Sequence, residues 1–131
     1  MPTAEDLSSV ALFAGLDPEA LLELAGRFDD EEFGAGRTLV AEGSAGYAFY
    51  VIAEGRVRVA SGGQPVRELG PGDYFGEIAI LGEGRRTATV TAKTHVVVWV
   101  LFGTTFRVLQ TARPDVADVL MSTMKQRLAA D

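Results

Sequence analysis

Apolar side chains at helical spacing characterise the N-terminal part of the chain. Four of them recur three or four positions apart, which places them along one face of a helix; they are Leu21, Leu24, Ala25 and Phe28. The run Asp17-Pro18-Glu19 precedes them with an N-cap side chain, a proline at the first helical position and negative charge near the helix N-terminus. Thr3 and Asp6 predict a capped, shorter helix before it.

The C-terminal part returns to the helical period after Gly103. Thr104 predicts the cap of a short helix, and Pro114-Asp115 opens a longer last one. One stripe of this last helix carries four apolar side chains, which are Val116, Leu120, Met124 and Leu128.

Between these helices the apolar period shifts to two, the period of β-strands. Arg56-Val57-Arg58-Val59 alternates charged and branched apolar residues, and twelve of the fifteen glycines fall in residues 34–84, where they mark turns. Ser61-Gly62-Gly63-Gln64 predicts a hairpin turn, and residues 95–102 predict a strand buried on both faces. We therefore predict one domain over residues 1–131 that is mainly β: an antiparallel, jelly-roll-like β-roll at 33–102 with flanking helices at 1–32 and 103–131.

Composition fits one domain and excludes several kinds of chemistry. The 131 residues are 47% hydrophobic, enough to bury a core, and they include no cysteine, which excludes disulfides, thiolate metal ligands and a cysteine nucleophile. Residues 1–10 lack the pattern of a secretory signal, and no apolar run is long enough to cross a bilayer. We expect a cytoplasmic protein. The few Lys, the lack of Asn and the abundant Ala, Gly and Arg indicate a bacterium with a GC-rich genome.

Charge is unevenly distributed along the chain. The formal net charge of −6 argues against direct contact with nucleic acid. Residues 1–32 hold nine acidic side chains and one Arg, residues 33–113 hold six acidic and nine basic, and residues 114–131 hold three acidic and two basic. The positive middle segment suits a small anionic ligand, although a surplus of three charges is also ordinary for a protein surface.

The sequence indicates neither a metal centre nor a catalytic site. His95 is the only histidine, whereas a metal site of the barrel type needs two or three, so we interpret His95 as structural. None of the serines has the sequence context of an activated nucleophile. Gly82-Glu83-Gly84 is not a dinucleotide fingerprint, because a strand pattern follows it and the third glycine is missing. We expect no enzyme activity, no metal and no cofactor.

One short segment, residues 75–90 with the sequence FGEIAILGEGRRTATV, combines both signs of charge. An Arg donates two parallel hydrogen bonds to a phosphate and a carboxylate accepts from ribose hydroxyls, so Glu77 and an Arg of the pair Arg85-Arg86 suit a nucleotide. Gly76 allows the backbone to approach a ligand closely, and the start of the following turn can present N–H groups to an anion. The alternative is a plain ion pair between Glu77 and Arg86.

The stretch Phe75–Leu81, followed by Arg86–Val90, resembles the phosphate-binding cassette of the cyclic nucleotide-binding domain family. That family includes regulatory subunits of cyclic-AMP-dependent protein kinase, cyclic-nucleotide-gated channels and bacterial regulators of the catabolite-activator type. Similar segments span nearly the whole chain; they are Leu12–Leu16, Ala41–Gly43, Phe49–Ile52, Glu54–Val57 and Leu69–Asp73. The resemblance implies a cassette at residues 75–88 and a C-terminal helix that serves as a lid.

The resemblance also implies roles for individual residues. Glu77 would accept a hydrogen bond from the ribose 2′-hydroxyl, and Arg86, nine positions later, would clamp the cyclic phosphate. The other implied ligand-binding residues are Gly76, Ile78, Ala79, Thr87 and Ala88. Arg85 stands where the family more often has Pro, and we interpret it as a solvated neighbour.

The identity of the base and of the residue that covers it stays open. Receptors for cyclic AMP and for cyclic GMP both carry a hydroxyl residue at the position of Thr87, and we favour cyclic AMP because no further guanine-selective feature is visible. Four residues of the last helix are candidates for capping the base, and each also fits core packing or an exposed helix face: Met121, Met124, Lys125 and Leu128.

The resemblance implies a regulatory sensor that binds a cyclic nucleotide and repositions its last helix. We expect its effector to be a domain or a partner protein that this chain does not contain. The alternative is a relative that has lost its ligand and serves as an interaction or dimerisation module, with the apolar stripe of the last helix as the contact within a homodimer.

Overall fold

The computed structural model describes residues 1–44, 47–81 and 88–130, with the backbone alone at residue 78 and residues 128–130. The helices are α1 (Ala4–Ser8), a 3₁₀ helix (Ala11–Phe13), α2 (Pro18–Ala25), α3 (Ile78–Leu81), α4 (Gly103–Ala112) and α5 (Pro114–Ala130). The strands are β1 (Asp29–Phe33), β2 (Thr38–Val40), β3 (Ala48–Glu54), β4 (Val57–Ser61), β5 (Gln64–Leu69), β6 (Tyr74–Phe75), β7 (Thr89–Ala92) and β8 (Val96–Phe102).

Side-chain caps begin the first two α-helices, as the sequence predicts. The Asp6 N–H donates to the Thr3 hydroxyl at 3.0 Å and the Thr3 N–H donates to the Asp6 carboxylate at 2.9 Å, which completes a capping box. The Asp17 carboxylate accepts a hydrogen bond from the Ala20 N–H at 2.8 Å. These bonds satisfy N–H groups that have no partner within their own helices.

Two local expectations are wrong. Thr104 is not the cap of α4, because the helix already begins at Gly103 and has no side-chain cap. His95 lies before β8 rather than inside it and is largely exposed. The reason is that residues 93–94 bend and donate their N–H groups to the Arg56 carbonyl, which delays the start of the strand.

The acidic run at residues 29–32, which the sequence assigns to the N-terminal helical segment 1–32, forms strand β1 instead. It pairs antiparallel with β8, from Asp29 opposite Val100 to Phe33 opposite Val96. The backbone of β1 forms hydrogen bonds with β8. Since β1 lies at the edge of its sheet, its carboxylates can reach water. The β-roll therefore begins at residue 29 rather than at residue 33.

Two antiparallel four-stranded sheets face each other in the described part of the chain, which confirms the predicted β-roll with flanking helices. The first sheet has the strand order β1-β8-β3-β6, and the second has the order β2-β7-β4-β5. The side chains between the sheets form what we name the roll core, which consists of Ala48, Ile52, Val57, Val59, Leu69, Phe75, Val90, Ala92, Val96, Val98 and Val100. Burial of this apolar surface holds the two sheets together.

Helices cover the other face of the first sheet. Successive residues of β3 alternate between the two faces, so that Ala48 and Ile52 join the roll core while Phe49 and Val51 point to the helices. We name this second set the helical core; its larger members include Phe13, Leu24, Phe28, Phe49, Ile80, Leu101, Phe106, Leu109, Leu120 and Met124. The predicted apolar faces of α2 and α5 are thus buried where the structure describes their side chains.

Candidate functional site

The start of the cassette is fixed to the first sheet. Strand β6 pairs with β3, with Phe75 opposite Tyr50, and the rings of these two residues are stacked with centroids 4.8 Å apart. The chain then leaves the sheet at Gly76, whose φ of 87° lies in the left-handed region that favours glycine. This bend turns the chain directly from β6 into α3.

The turn after Gly76 uses several of its own backbone amides. The Ala79 N–H donates to the Gly76 carbonyl at 3.1 Å, and the N–H groups of Ile80 and Leu81 donate to the Glu77 carbonyl at 2.9 and 2.8 Å. Any amide that this turn offers to an anion therefore precedes Ala79. Ala79 and Ile80 are buried in the helical core, which anchors α3, while Glu77 is half-buried at the start of the turn.

A cavity of about 200 Å³ opens beside the cassette start. Its lining includes Tyr50, the residue whose ring stacks on Phe75, immediately before Gly76. The other lining residues are Leu39, Val40, Ala41, Ser44, Tyr47 and Ala48. Whole small-molecule pockets have volumes of roughly 300–1,000 Å³, so this cavity accommodates part of such a ligand.

A row of paired residues crosses the second sheet on its inner face. Val40 pairs with Val90, Val90 with Val59, and Val59 with Arg67, and directly opposite residues of antiparallel strands share a face. Because Val59 and Val90 belong to the roll core, Arg67 ends an apolar row with a guanidinium at the exposed edge. The sequence did not reveal this placement, because a bulge between Val59 and Ala60 breaks the alternation along β5.

Several cations of the positive middle segment lie on the outer face of the same sheet. Lys93 Nζ lies 2.6 Å from Glu68 Oε1, and this hydrogen bond holds the pKa of Glu68 below its usual range, with further contributions from the charges of Arg56 and Arg58. Arg58 pairs with Glu68 across β4 and β5 and alternates with the inward side chains of β4. Lys93 therefore binds a carboxylate on the surface, and Arg58 points away from the roll core.

The C-terminal end of the cassette is described only from Ala88 onward. Ala88 is half-buried and packs against the roll core. Arg86 and Thr87 lie outside the described residues, so their contacts with a phosphate stay predictions. The alternative ion pair between Glu77 and Arg86 also stays open for this reason.

The four candidates for capping a base lie on α5, on the helical side of the first sheet. Met124 is fully buried in the helical core, Lys125 is exposed, and the side chain of Leu128 lies outside the described residues. Met121 is half-buried, and its sulfur lies 3.7 Å from Gln110 Nε2 on α4. The structure therefore does not bring Met121 or Met124 to the cavity lining, which consists of residues from the strands and their connections.

His95 lies beside a carboxylate, with its Nε2 3.9 Å from Glu32 Oε2. Within residues 1–44, 47–81 and 88–130, no three His, Cys, Asp or Glu side chains cluster as a metal site requires. No helix in the same ranges combines the length and apolar character needed to cross a membrane.

Comparison with known proteins finds matches over most of the chain. The family model of the cyclic nucleotide-binding domain matches residues 30–112. A cyclic nucleotide-gated potassium channel from Rhizobium etli is 35% identical over 121 residues, which cover 92% of this chain and 34% of the channel. A CRP-like cAMP-activated global transcriptional regulator from Mycobacterium tuberculosis is 30% identical over 129 residues, which cover 95% of this chain and 58% of the regulator.

A solved structure agrees with these sequence matches. A mutant regulatory subunit of a cAMP-independent protein kinase A from Trypanosoma brucei, bound to cAMP in its A site, superposes with a TM-score of 0.82 at 29% identity. The match covers 94% of this chain and 44% of that subunit. The present chain thus spans less than two thirds of the length of each of these three proteins.

Proposed function

Because the chain belongs to the cyclic nucleotide-binding domain family, we propose that it is a regulatory sensor that binds a cyclic purine nucleotide, with cyclic AMP favoured. The observation that carries the proposal is the geometry of the cassette start. Gly76 bends the chain out of β6 with a φ of 87° and leaves Glu77 half-buried, two residues after the ring that stacks on the cavity-lining Tyr50. A carboxylate held at such a bend is suited to accept hydrogen bonds from ribose hydroxyls.

In this proposal the cassette binds the sugar and phosphate through a few side chains and backbone groups. Glu77 accepts from the ribose 2′-hydroxyl, and Arg86 donates two hydrogen bonds to the cyclic phosphate. Gly76 leaves room for the ligand beside the backbone. The remaining contacts come from backbone or side-chain groups of Ile78, Ala79, Thr87 and Ala88.

Ligand binding changes the position of the C-terminal helix in this proposal. Support comes from the contact between the cassette and α4, where a Cβ added at Gly103 would lie 3.2 Å from the Ala79 carbonyl oxygen. Ala79 and Ile80 of α3 also share the helical core with Leu120 and Met124 of α5. Movement of α3 would therefore disturb the packing of α5, to the extent that the ligand binds the two arrangements with different affinity.

The effector that such a sensor would control is also part of the proposal. The relatives from Rhizobium etli and Mycobacterium tuberculosis are a potassium channel and a transcriptional regulator, of which this chain spans 34% and 58%. We infer that the chain acts on a domain or a partner protein of this general kind. A homodimer formed through α5 is one arrangement in which it could do so.

Cyclic GMP is the second candidate ligand, and Arg67 favours it. Arg67 ends the inward row of the second sheet, beyond Val59 and Val90. Guanine presents two acceptors, O6 and N7, that match a guanidinium, whereas adenine presents a donor at the corresponding exocyclic position. A purine whose edge reaches Arg67 would therefore be bound more tightly as guanine than as adenine.

Calorimetric titration of the chain with cyclic AMP, cyclic GMP and linear 5′-AMP tests the proposal. We expect saturable binding of at least one cyclic nucleotide, tighter than that of 5′-AMP. Glu77→Ala should weaken it by roughly 10- to 150-fold, because a hydrogen bond to a charged group contributes about 1.5–3 kcal/mol. The control is Glu54→Ala, which removes an exposed glutamate at the end of β3. If no cyclic nucleotide binds, the sensor function is wrong and the ligand-free interaction module is the better interpretation.

A further inference from the structure

Glu42 makes two hydrogen bonds to segments that are distant in the sequence. It lies in the turn after β2, which is closed by the Ser44 N–H donating to the Ala41 carbonyl at 3.2 Å. The Glu42 N–H donates to the Thr89 hydroxyl oxygen at 3.0 Å. The Glu42 carboxylate accepts from the Gly62 N–H, with Oε1 2.9 Å from the amide nitrogen.

These two bonds connect three strand ends of the second sheet. The strand order is β2-β7-β4-β5, so the carboxylate of Glu42 reaches past the start of β7 to the tip of the β4–β5 hairpin. Thr89 is the first residue of β7 and directly follows the cassette. The hairpin tip at Gly62 leads into β5, the strand that carries Arg67. Glu42 thus connects the C-terminal end of the cassette with the hairpin that ends the inward row.

We propose that Glu42 is a positioning residue for the ligand site. It fixes the distance between the start of β7 at Thr89, which follows the cassette, and the hairpin that leads into the strand carrying Arg67, without touching the ligand itself. The proposal rests on the proposed function, because it assigns Glu42 to the site that binds the cyclic nucleotide. It extends that function by explaining how the two sides of the site are held in register.

The effect on binding should exceed the effect on folding stability. Only the bond to Gly62 depends on the Glu42 side chain, and it lies at exposed residues, where water replaces a lost partner, so its removal costs little of the free energy of unfolding. Groups that bind a ligand must, however, be held within about 0.5 Å of their productive positions by supporting contacts. When the hairpin tip and the cassette end can move apart, the site must be ordered again at each binding event, and affinity falls.

The test compares Glu42→Ala with Glu42→Gln in two measurements. Hydrogen exchange without ligand should show faster exchange at residues 59–64 in Glu42→Ala, because the Gly62 N–H has lost its acceptor. Titration with cyclic AMP and cyclic GMP should show an affinity lower by about two- to tenfold, as expected for one hydrogen bond. Glu42→Gln keeps an oxygen acceptor for the Gly62 N–H and should behave like the wild type in both measurements.

A control separates positioning from general destabilisation. Asp17→Ala removes the cap of α2, a helix that contributes no residue to the cavity lining, and should lower the thermal midpoint while leaving nucleotide affinity unchanged. Equal affinity of Glu42→Ala and the wild type would overturn the inference, as would unchanged exchange at residues 59–64. A loss in Glu42→Ala that Glu42→Gln does not restore would also overturn it. Failure of the proposed function looks different, because the wild type itself would then bind no cyclic nucleotide.

Discussion

Arg86 is the residue on which the proposed phosphate contact depends most. Replacing it with Ala would leave the charge of a bound cyclic phosphate without its partner. We expect nucleotide affinity to fall by about thirty- to a thousandfold, or ~2–4 kcal/mol, with little change in folding stability. Titration with labelled cyclic AMP measures the loss, and Arg58→Ala, which removes an exposed guanidinium from the outer face of β4, is the matched control. Unchanged binding by Arg86→Ala would contradict the assignment.

Arg67 is the residue on which the choice of base would depend if it reaches the purine. Arg67→Met should weaken cyclic GMP by roughly 5- to 150-fold, the range for a lost bidentate contact to guanine, and affect cyclic AMP much less. Arg58→Met provides the comparison, because Arg58 alternates with inward-facing residues on the adjacent strand β4. Titrations of the wild type and both variants with both nucleotides give the affinity for cyclic GMP relative to that for cyclic AMP. If this ratio is the same in Arg67→Met and the wild type, Arg67 does not select the base.

At the scale of elements, one arginine connects α2 with the start of α5. Arg113 donates to both carboxylate oxygens of Asp115, at 3.2 and 3.1 Å, and to Glu19 Oε1 at 3.1 Å. The hydrogen bonds from Arg113 hold the pKa of Asp115 below its ordinary value of 3.8. Because the lowered pKa belongs to the folded state, this stabilisation is complete above pH 3.8 and is lost as the pH falls through the lowered pKa.

Thermal unfolding of the wild type and of Asp115→Asn between pH 7 and pH 2 tests this connection. Near neutral pH we expect the wild type to melt at a higher temperature than the variant. The reason is that the Asp115 carboxylate is charged, whereas the amide that replaces it is neutral. The difference in melting temperature between the two proteins should shrink once Asp115 is protonated in the folded state. A difference that persists unchanged into acid would show that the charge of Asp115 does not contribute to folding stability.

The elements that could be predicted from the sequence are those fixed by local chemistry. The caps at Thr3 and Asp17, the proline at the start of α5 and the glycine hairpin turn each depend on contacts within a few residues. The strand β1 depends instead on pairing with β8, which lies more than sixty residues later in the chain. An acidic run has no period that predicts such pairing, so the sequence favoured the wrong boundary.

The candidate site could be predicted only in part, for a similar reason. The motif placed Gly76 and Glu77 at a turn, because the residue types of the cassette are themselves local. The period of α5 predicted that Met124 is on an apolar face, but a period does not tell whether a neighbouring helix or a ligand covers that face. The direction of Arg67 depended on a bulge that β5 shows only when it is paired with β4.

At the scale of the whole molecule, the proposed movement of α5 can be measured directly. The chain has no cysteine, so spin labels can be placed at Ser61→Cys on β4 and Ser122→Cys on α5, both at exposed positions. We expect saturating cyclic nucleotide to change the distance distribution between the two labels. A pair at Ser61→Cys and Thr38→Cys, both on the second sheet, should keep its distance. An unchanged distance distribution for the pair at residues 61 and 122 would contradict the proposed movement of α5.

Strands β3 and β8 have side chains packed on both faces, one set in the roll core and the other in the helical core. These two strands therefore belong to both cores, and unfolding of one core exposes apolar side chains of the remaining core to water. The domain should absorb heat on unfolding in a single peak, with equal calorimetric and van't Hoff enthalpies. Any molecule that binds and stabilises the β-roll would then raise the melting temperature of the terminal helices by the same amount, even without touching them.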